Sequence, residues 1–158
     1  MSMNESEVGR LLMHHGRTLA VAESCTGGLL AQRITDVPGA SAYFRGGIVA
    51  YSNDVKEQLL GVPRAILAAH GAVSALCAQA MAEGAQVRLH ADFALATTGI
   101  AGPSGGTAAK PVGLVYIALS SPEGVEVEEH RFHGSRREIR WTASEAALAL
   151  LLRKLRDL

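Results

Sequence analysis

The stretch AESCTGG, residues 22–28, constrains the fold of this chain more than any other. Before it stands an apolar run, Leu19-Ala20-Val21, which reads as a short buried strand over residues 18–22. After it, residues 29–37 read as a helix closed by the Pro38-Gly39 turn. A strand that passes straight into a helix opens a βαβ unit, in which helical crossovers join parallel strands. Hydroxyl side chains favour helix N-caps, so Ser24 or Thr26 is an expected cap for a helix starting near Gly27. The same place also suits an anion, an oxyanion or a nucleophile, because free N–H groups and the positive end of the helix macrodipole would face it.

The alternation continues along the chain. Residues 4–16 carry Val8, Leu11 and Leu12 at helical spacing. A second strand is expected over 44–52, with Gly46-Gly47 marking a bulge or a close backbone approach. A helix over 53–60 follows, with Asn53 as its N-cap and Gly61 and Pro63 beyond its end. Residues 64–70 form a further short helix, and 74–90 a long alanine-rich one capped by Ser74. A third strand, 93–97, runs into the loop TTGIAGPSGGTAAKPVG. Segments 114–120 and 125–132 read as a hairpin around Ser121-Pro122-Glu123-Gly124. Ser135-Arg136-Arg137-Glu138 is a capping box opening a last helix that buries Ile139, Ala143, Ala146, Leu150 and Leu151. With no repeat and no linker, residues 1–158 are expected to form one domain. The fold class is α/β, a three-layer α/β/α sandwich with a mixed, mostly parallel sheet. Ligands in such folds sit at the carboxyl ends of the strands.

Composition narrows the functional classes. Apolar residues make up 48% of the chain but aromatic ones only 4%, so Ala, Leu and Val must fill the core. Fifteen basic residues balance fifteen acidic ones, which suggests neither a nucleic-acid nor an anionic-membrane partner. The two cysteines, Cys25 and Cys77, form neither a CxxC pair nor a disulfide framework, and a reducing cytoplasm is the expected compartment. Residues 1–10 are too polar for a signal peptide, and no apolar run reaches the ~18–20 residues of a membrane helix. His130 and His133 are expected on opposite faces of a strand, and His14, His15, His70 and His90 on helix ends or polar faces, so no metal site is expected. Trp141 reads as a packing residue.

Three segments carry residues suited to chemistry. At Ser24 the glycines of the serine-hydrolase elbow are missing, since Ala22 and Thr26 stand in their places. Cys25 competes with Ser24 as the nucleophile, because a thiol at a helix N-terminus has a lowered pKa. Lys56 is one of only three lysines, with Lys110 and Lys154, among fifteen basic residues. Lysine can lose its proton where arginine cannot, although Lys56 reads equally as an exposed residue beside Asp54 and Glu57. To be substantially neutral at pH 7 it needs a fall of about 3 pKa units, about 4 kcal/mol, of which a helix dipole supplies about 1. The loop after Thr97 and Thr98 holds Gly99, Gly102, Gly105 and Gly106 with Ser104 and Thr107, a pattern that suits a phosphate cradle or a plain surface loop. It matches neither the Walker phosphate loop nor the dinucleotide fingerprint.

Taken together, AESCTGG, GGIVAYSNDVK, HGAVS and TTGIAGPSGGTAAKPVG resemble the competence-damage (CinA) family. The likeness is to the CinA C-terminal domain and its stand-alone form, the PncC-type nicotinamide-nucleotide amidase, and it covers residues 5–155. The resemblance implies a three-layer sandwich and a metal- and cofactor-free hydrolase. That hydrolase converts nicotinamide mononucleotide (NMN) to nicotinate mononucleotide and ammonia, and is typically a homo-oligomer, often a dimer. By motif position it assigns the nucleophile to Ser24, the lysine base to Lys56 and a hydroxyl, serine or threonine in the family, to Thr98. The proton of Ser24 is expected to pass to Lys56 directly or through Thr98. The oxyanion is expected on backbone amides at the start of the Gly27 helix or in the 99–106 loop, with Cys25, Thr26, Gly27 and Gly28 at the substrate. The loop glycines with Ser104 or Thr107 are expected at the phosphate, and Tyr51 and Asn53 on the pocket wall. A nucleotide-binding or regulatory module without turnover is the alternative.

Overall fold

A computed structural model describes residues 3–158. In chain order the elements are α1 (Met3–His15), β1 (Leu19–Glu23), α2 (Leu29–Thr35), β2 (Phe44–Val49), α3 (Asn53–Leu60), α4 (Arg64–His70) and α5 (Ala75–Arg88). They continue with β3 (Phe93–Gly99), β4 (Leu114–Ser121), β5 (Gly124–Arg131) and α6 (Arg136–Arg156). The sheet order is β2-β1-β3-β4-β5. Strand β1 pairs in parallel with β2 and β3, whereas β4 is antiparallel to both β3 and β5. All strands except β4 therefore run one way, giving the mixed sheet expected from the sequence. Among the described residues, no helix is long and apolar enough to cross a membrane.

Side-chain size alternates along the strands and sorts the helices into two layers. Leu19 and Val21 of β1, Phe93 and Leu95 of β3, and Val115, Ile117 and Leu119 of β4 pack against α1, α2 and α6. Ala20, Ala22, Ala94, Ala96 and Ala118 point the other way, onto Cys77, Ala78, Met81, Ala82 and Ala85 of α5. Two small-residue surfaces in contact bring α5 close to the sheet. The period of two continues past the strand ends. Glu23 and Thr97 thus fall on the α2 side, while Ser24 and Thr98 fall on the side of α3 and α5.

The helix starts show where local chemistry was read correctly and where it was not. Ser74 caps α5 by accepting from the Cys77 amide at 3.2 Å, and the Ser135–Glu138 capping box is complete. Helix α3 is capped by Ser52, which accepts from the Val55 amide, so Asn53 is its first residue rather than its cap. Neither Ser24 nor Thr26 caps α2, which starts at Leu29 after Gly28 in the left-handed region (φ 102°). The buried carboxylate of Glu23 caps it instead, accepting from the amides of Gly28 (3.2 Å), Leu30 (2.9 Å) and Ala31 (3.0 Å). Gly46 follows a register shift between β1 and β2. A Cβ on Gly47 would stand 2.7 Å from Val21 Cγ2, so both readings of that pair hold. Trp141 packs as expected, at the surface: it is 46% exposed and stacks on the buried guanidinium of Arg33, 4.0 Å from its ring centre. Arg33 in turn binds Glu5 (2.7 Å), Ser144 (2.8 Å) and Glu145, tying α1, α2 and α6 together.

Helix α3 is pinned to α5 at Gly84, where an added Cβ would lie 1.9 Å from the Leu60 carbonyl oxygen. Gly84→Ala therefore forces the two helices apart and is expected to cost about 1–3 kcal/mol, measured by urea unfolding.

Candidate active site

The carboxyl end of β1 carries Ser24, whose amide continues the sheet by donating to Thr97 O at 3.0 Å. The serine hydroxyl accepts a hydrogen bond from Lys56 Nζ at 2.9 Å, and the same amine donates to Tyr51 O at 2.9 Å. Lys56 shares the inward stripe of α3 with Leu60, four residues on, and is only 1% exposed. Both of its partners are neutral. Burial therefore holds its pKa below the ordinary value, with the Cys77 and Cys25 thiols acting weakly in the opposite direction. The exposed lysine beside Asp54 and Glu57 is not what the structure contains.

Thr98 lies within the same cavity, but its hydroxyl donates to Ala72 O at 2.8 Å. That bond holds the segment after α4 against the strand end, and the Ser24–Lys56 contact is direct. Cys25 also departs from expectation. It is 6% exposed with no helix N-terminus free to face it, and burial pushes its thiol up to about 12. At neutral pH it is a protonated wall residue. Thr26 is fully buried and shares a 2.7 Å hydrogen bond with Thr97, a clip between the junction and β3.

The cavity around Ser24 has a volume of about 200 Å³ and is lined by Cys25, Tyr51, Asn53, Lys56, Ala72, Val73, Thr98, Gly99, Ala101 and Arg136. Of the residues expected at the ligand, Thr26, Gly27, Gly28, Gly102, Ser104, Gly105, Gly106 and Thr107 do not line it. The glycine loop is folded onto its own chain. A Cβ would meet Val112 Cγ1 at 2.4 Å from Gly102, and Val112 N at 2.6 Å from Gly106. Thr107 is spent on a turn with Lys110, accepting from its amide at 3.0 Å. Ser104 and Gly105 are exposed. Gly99 does reach the cavity, and close packing against Val115 and Leu114 O requires it to lack a side chain.

Arg136 is the site residue that sequence reasoning missed. It opens α6, and its guanidinium donates to Gly102 O at 2.9 Å and to the Tyr51 hydroxyl at 3.0 Å, closing one side of the cavity mouth. The capping box was legible and marked where α6 starts, but not that this start stands over Ser24. Arg136 also borders a wider groove of about 1150 Å³, lined in addition by Gly27, Gly28, Gln32, Arg137, Arg140 and Trp141. Among the described residues no three His, Cys, Asp or Glu side chains gather into a metal-sized cluster.

A family model described as the CinA C-terminal domain matches residues 2–155. A CinA-like protein of Geobacter sulfurreducens is 56% identical over 151 residues, which is 96% of this chain and 37% of the relative. A putative competence-damage inducible protein of Moorella thermoacetica is 51% identical over 152 residues, again 96% of this chain and 37% of the relative. The chain thus spans little more than a third of these relatives. Among solved structures, a CinA superfamily protein of Klebsiella pneumoniae 700603 superposes with a TM-score of 0.94 at 35% identity, covering 98% of this chain and 97% of that one. The competence/damage inducible protein CihA of Agrobacterium tumefaciens does so at 0.90 and 42% identity, covering 97% and 98%. This chain belongs to the CinA C-terminal domain family.

Proposed function

We propose that this chain is an amidohydrolase that cleaves the carboxamide of NMN through Ser24, with Lys56 as the base. The observation that carries the reading is the 2.9 Å contact between a serine hydroxyl and a buried lysine whose amine has only neutral hydrogen-bond partners. A binding module needs the pocket but has no use for so costly a lysine.

In the first step the Ser24 oxygen bonds to the carboxamide carbon as its proton passes to Lys56 Nζ, and the carbonyl π pair moves onto oxygen. Collapse of that intermediate breaks the C–N bond. The leaving nitrogen takes the proton from Lys56 and departs as ammonia, leaving an ester on Ser24. Water then attacks the ester, giving a proton to the neutral amine. The second collapse returns that proton to Ser24 Oγ and releases nicotinate mononucleotide. No histidine is required.

The cavity size supports a division of the substrate. About 200 Å³ is below the ~300–1,000 Å³ of a pocket that encloses a whole ligand, and it suits the pyridine carboxamide. The ribose phosphate would extend past the mouth, where Arg136 offers the planar donor set that phosphates prefer. Arg136 therefore replaces the loop glycines, Ser104 and Thr107 as the proposed phosphate contact. Arg136→Ala is expected to raise KM for NMN at least tenfold while kcat changes less than threefold, read from steady-state ammonia release.

Purified protein should release ammonia from NMN with a chelator present. Ser24→Ala should abolish release, and Cys25→Ala should keep it within a few-fold of wild type. Absence of release, with NMN still raising the melting temperature, would instead identify a binding module.

Lys56 must be neutral to act, so kcat/KM should climb with pH through its lowered pKa and fall away on the acid side. Lys56→Arg, charged at every accessible pH, should retain less than a tenth of the activity. Stability carries the same sign. Between the lowered folded value and the ordinary 10.5, the unfolded chain holds a proton that the folded one lacks, so stability rises with pH across that window. Lys56→Met should remove this slope from a series of melting curves, while abolishing turnover.

A further inference from the structure

Arg140 lies one turn beyond Arg136 on α6 and does not line the cavity that holds Ser24. Its guanidinium reaches the junction from behind, donating from Nε to Cys25 O at 3.1 Å and from Nη2 to Thr26 O at 2.9 Å. Gly27 is shaped to this contact, because a Cβ there would stand 3.1 Å from Nη2.

Nearly every backbone donor of the junction is accounted for. The Ser24 amide goes to Thr97 O, Gly27 to Ser24 O and Leu29 to Thr26 O. Those of Gly28, Leu30 and Ala31 go to Glu23. Among the described residues this leaves two amides without an acceptor on another residue: Cys25, which leans on its own sulfur, and Thr26. Both follow directly on Ser24. The carbonyl and the N–H of one trans peptide point in opposite directions. By holding the Cys25 carbonyl toward α6, Arg140 turns the Thr26 N–H of the same peptide away from α6. A cation on the carbonyl oxygen also polarises the peptide and strengthens the N–H as a donor.

We propose that Arg140 is a positioning residue. It fixes the Cys25–Thr26 and Thr26–Gly27 peptides, and with them the turn that carries Cys25 at the cavity wall, so that the Thr26 amide, beside that of Cys25, receives the oxyanion formed when Ser24 attacks an acyl carbon. This rests on Ser24 being the acyl acceptor, but not on NMN being the substrate. Two adjacent carbonyls are gripped by one planar fork, a geometry that lysine does not reproduce.

The test uses the full chain with Arg140→Ala and Arg140→Lys, and reads two reactions. One is acetylation of Ser24 by p-nitrophenyl acetate, followed by intact mass; the other is ammonia release from NMN. Loss of one oxyanion donor lowers kcat by about 100–1,000-fold, and loss of its positioning should lower both rates at least tenfold. KM should stay within threefold, and millimolar guanidinium should restore part of the rate to Arg140→Ala without accelerating the wild type. A merely structural role would not give that rescue. If Arg140→Ala fails to fold, Arg140→Lys carries the test, with the same fall in rate expected at an unchanged KM. Rates within twofold of wild type in the folded variants, a rise in KM alone, or a wild type whose Ser24 takes no acetyl would each overturn the proposal. Arginine-dependent acetylation without ammonia from NMN would sink the substrate reading and leave the positioning role standing.

Discussion

Alternation of large and small residues along β1 and β3 decides where each group of the site can go. Leu19, Val21, Phe93 and Leu95 make one face of the sheet bulky, and Ala20, Ala22, Ala94 and Ala96 make the other thin. Helix α5 settles close on the thin face, and α3 is locked to it at Gly84. Lys56 is carried on α3, so its amine arrives at the strand ends on the same side as Ser24 and Thr98. On the opposite side, the same period sends Glu23 to the start of α2. One pattern of side-chain volume thus separates the group that holds the backbone from the groups that line the cavity.

Among the described residues two cationic side chains are buried, and they are treated differently. Arg33, 2% exposed, is matched by Glu5 and Glu145, so its charge is retained and spent on joining three helices. Lys56, 1% exposed, has a hydroxyl and a carbonyl as partners, and nothing offsets its charge at close range. Desolvation is the dominant influence on its titration for that reason. An arginine in the same place would have no neutral form to fall back on, which is why the two buried positions are not exchangeable.

Much of the fold was readable because local signals agreed with one another. Apolar spacing, the Ser74 cap and the Ser135–Glu138 box placed helices that the structure contains. Errors arose where one residue type serves two physical ends. Glycines at 102 and 106 signalled close approach correctly, but the approaching partner is Val112 and not a ligand. Hydroxyls at Ser24 and Thr26 looked like caps because the sequence does not show that Glu23, next in line, would supply three acceptor bonds. Arg136 is visible in the sequence only as a member of the capping box, and the docking of α6 against β3 and β4 gives it a place at the cavity. Ser24 and Lys56 stand 32 residues apart in the chain, and motif resemblance, not periodicity, brought them together before the fold did.

Tyr51 is held at both of its ends. Its backbone carbonyl takes a proton donor from Lys56, and its phenol oxygen takes one from Arg136. The separation between the buried amine and the guanidinium at the mouth is therefore set by the covalent length of a single side chain. Such a residue acts as a ruler. Under the proposed reaction, with a scissile amide at one end and a phosphate at the other, it would favour molecules in which those two groups lie one tyrosine apart over shorter or longer ones.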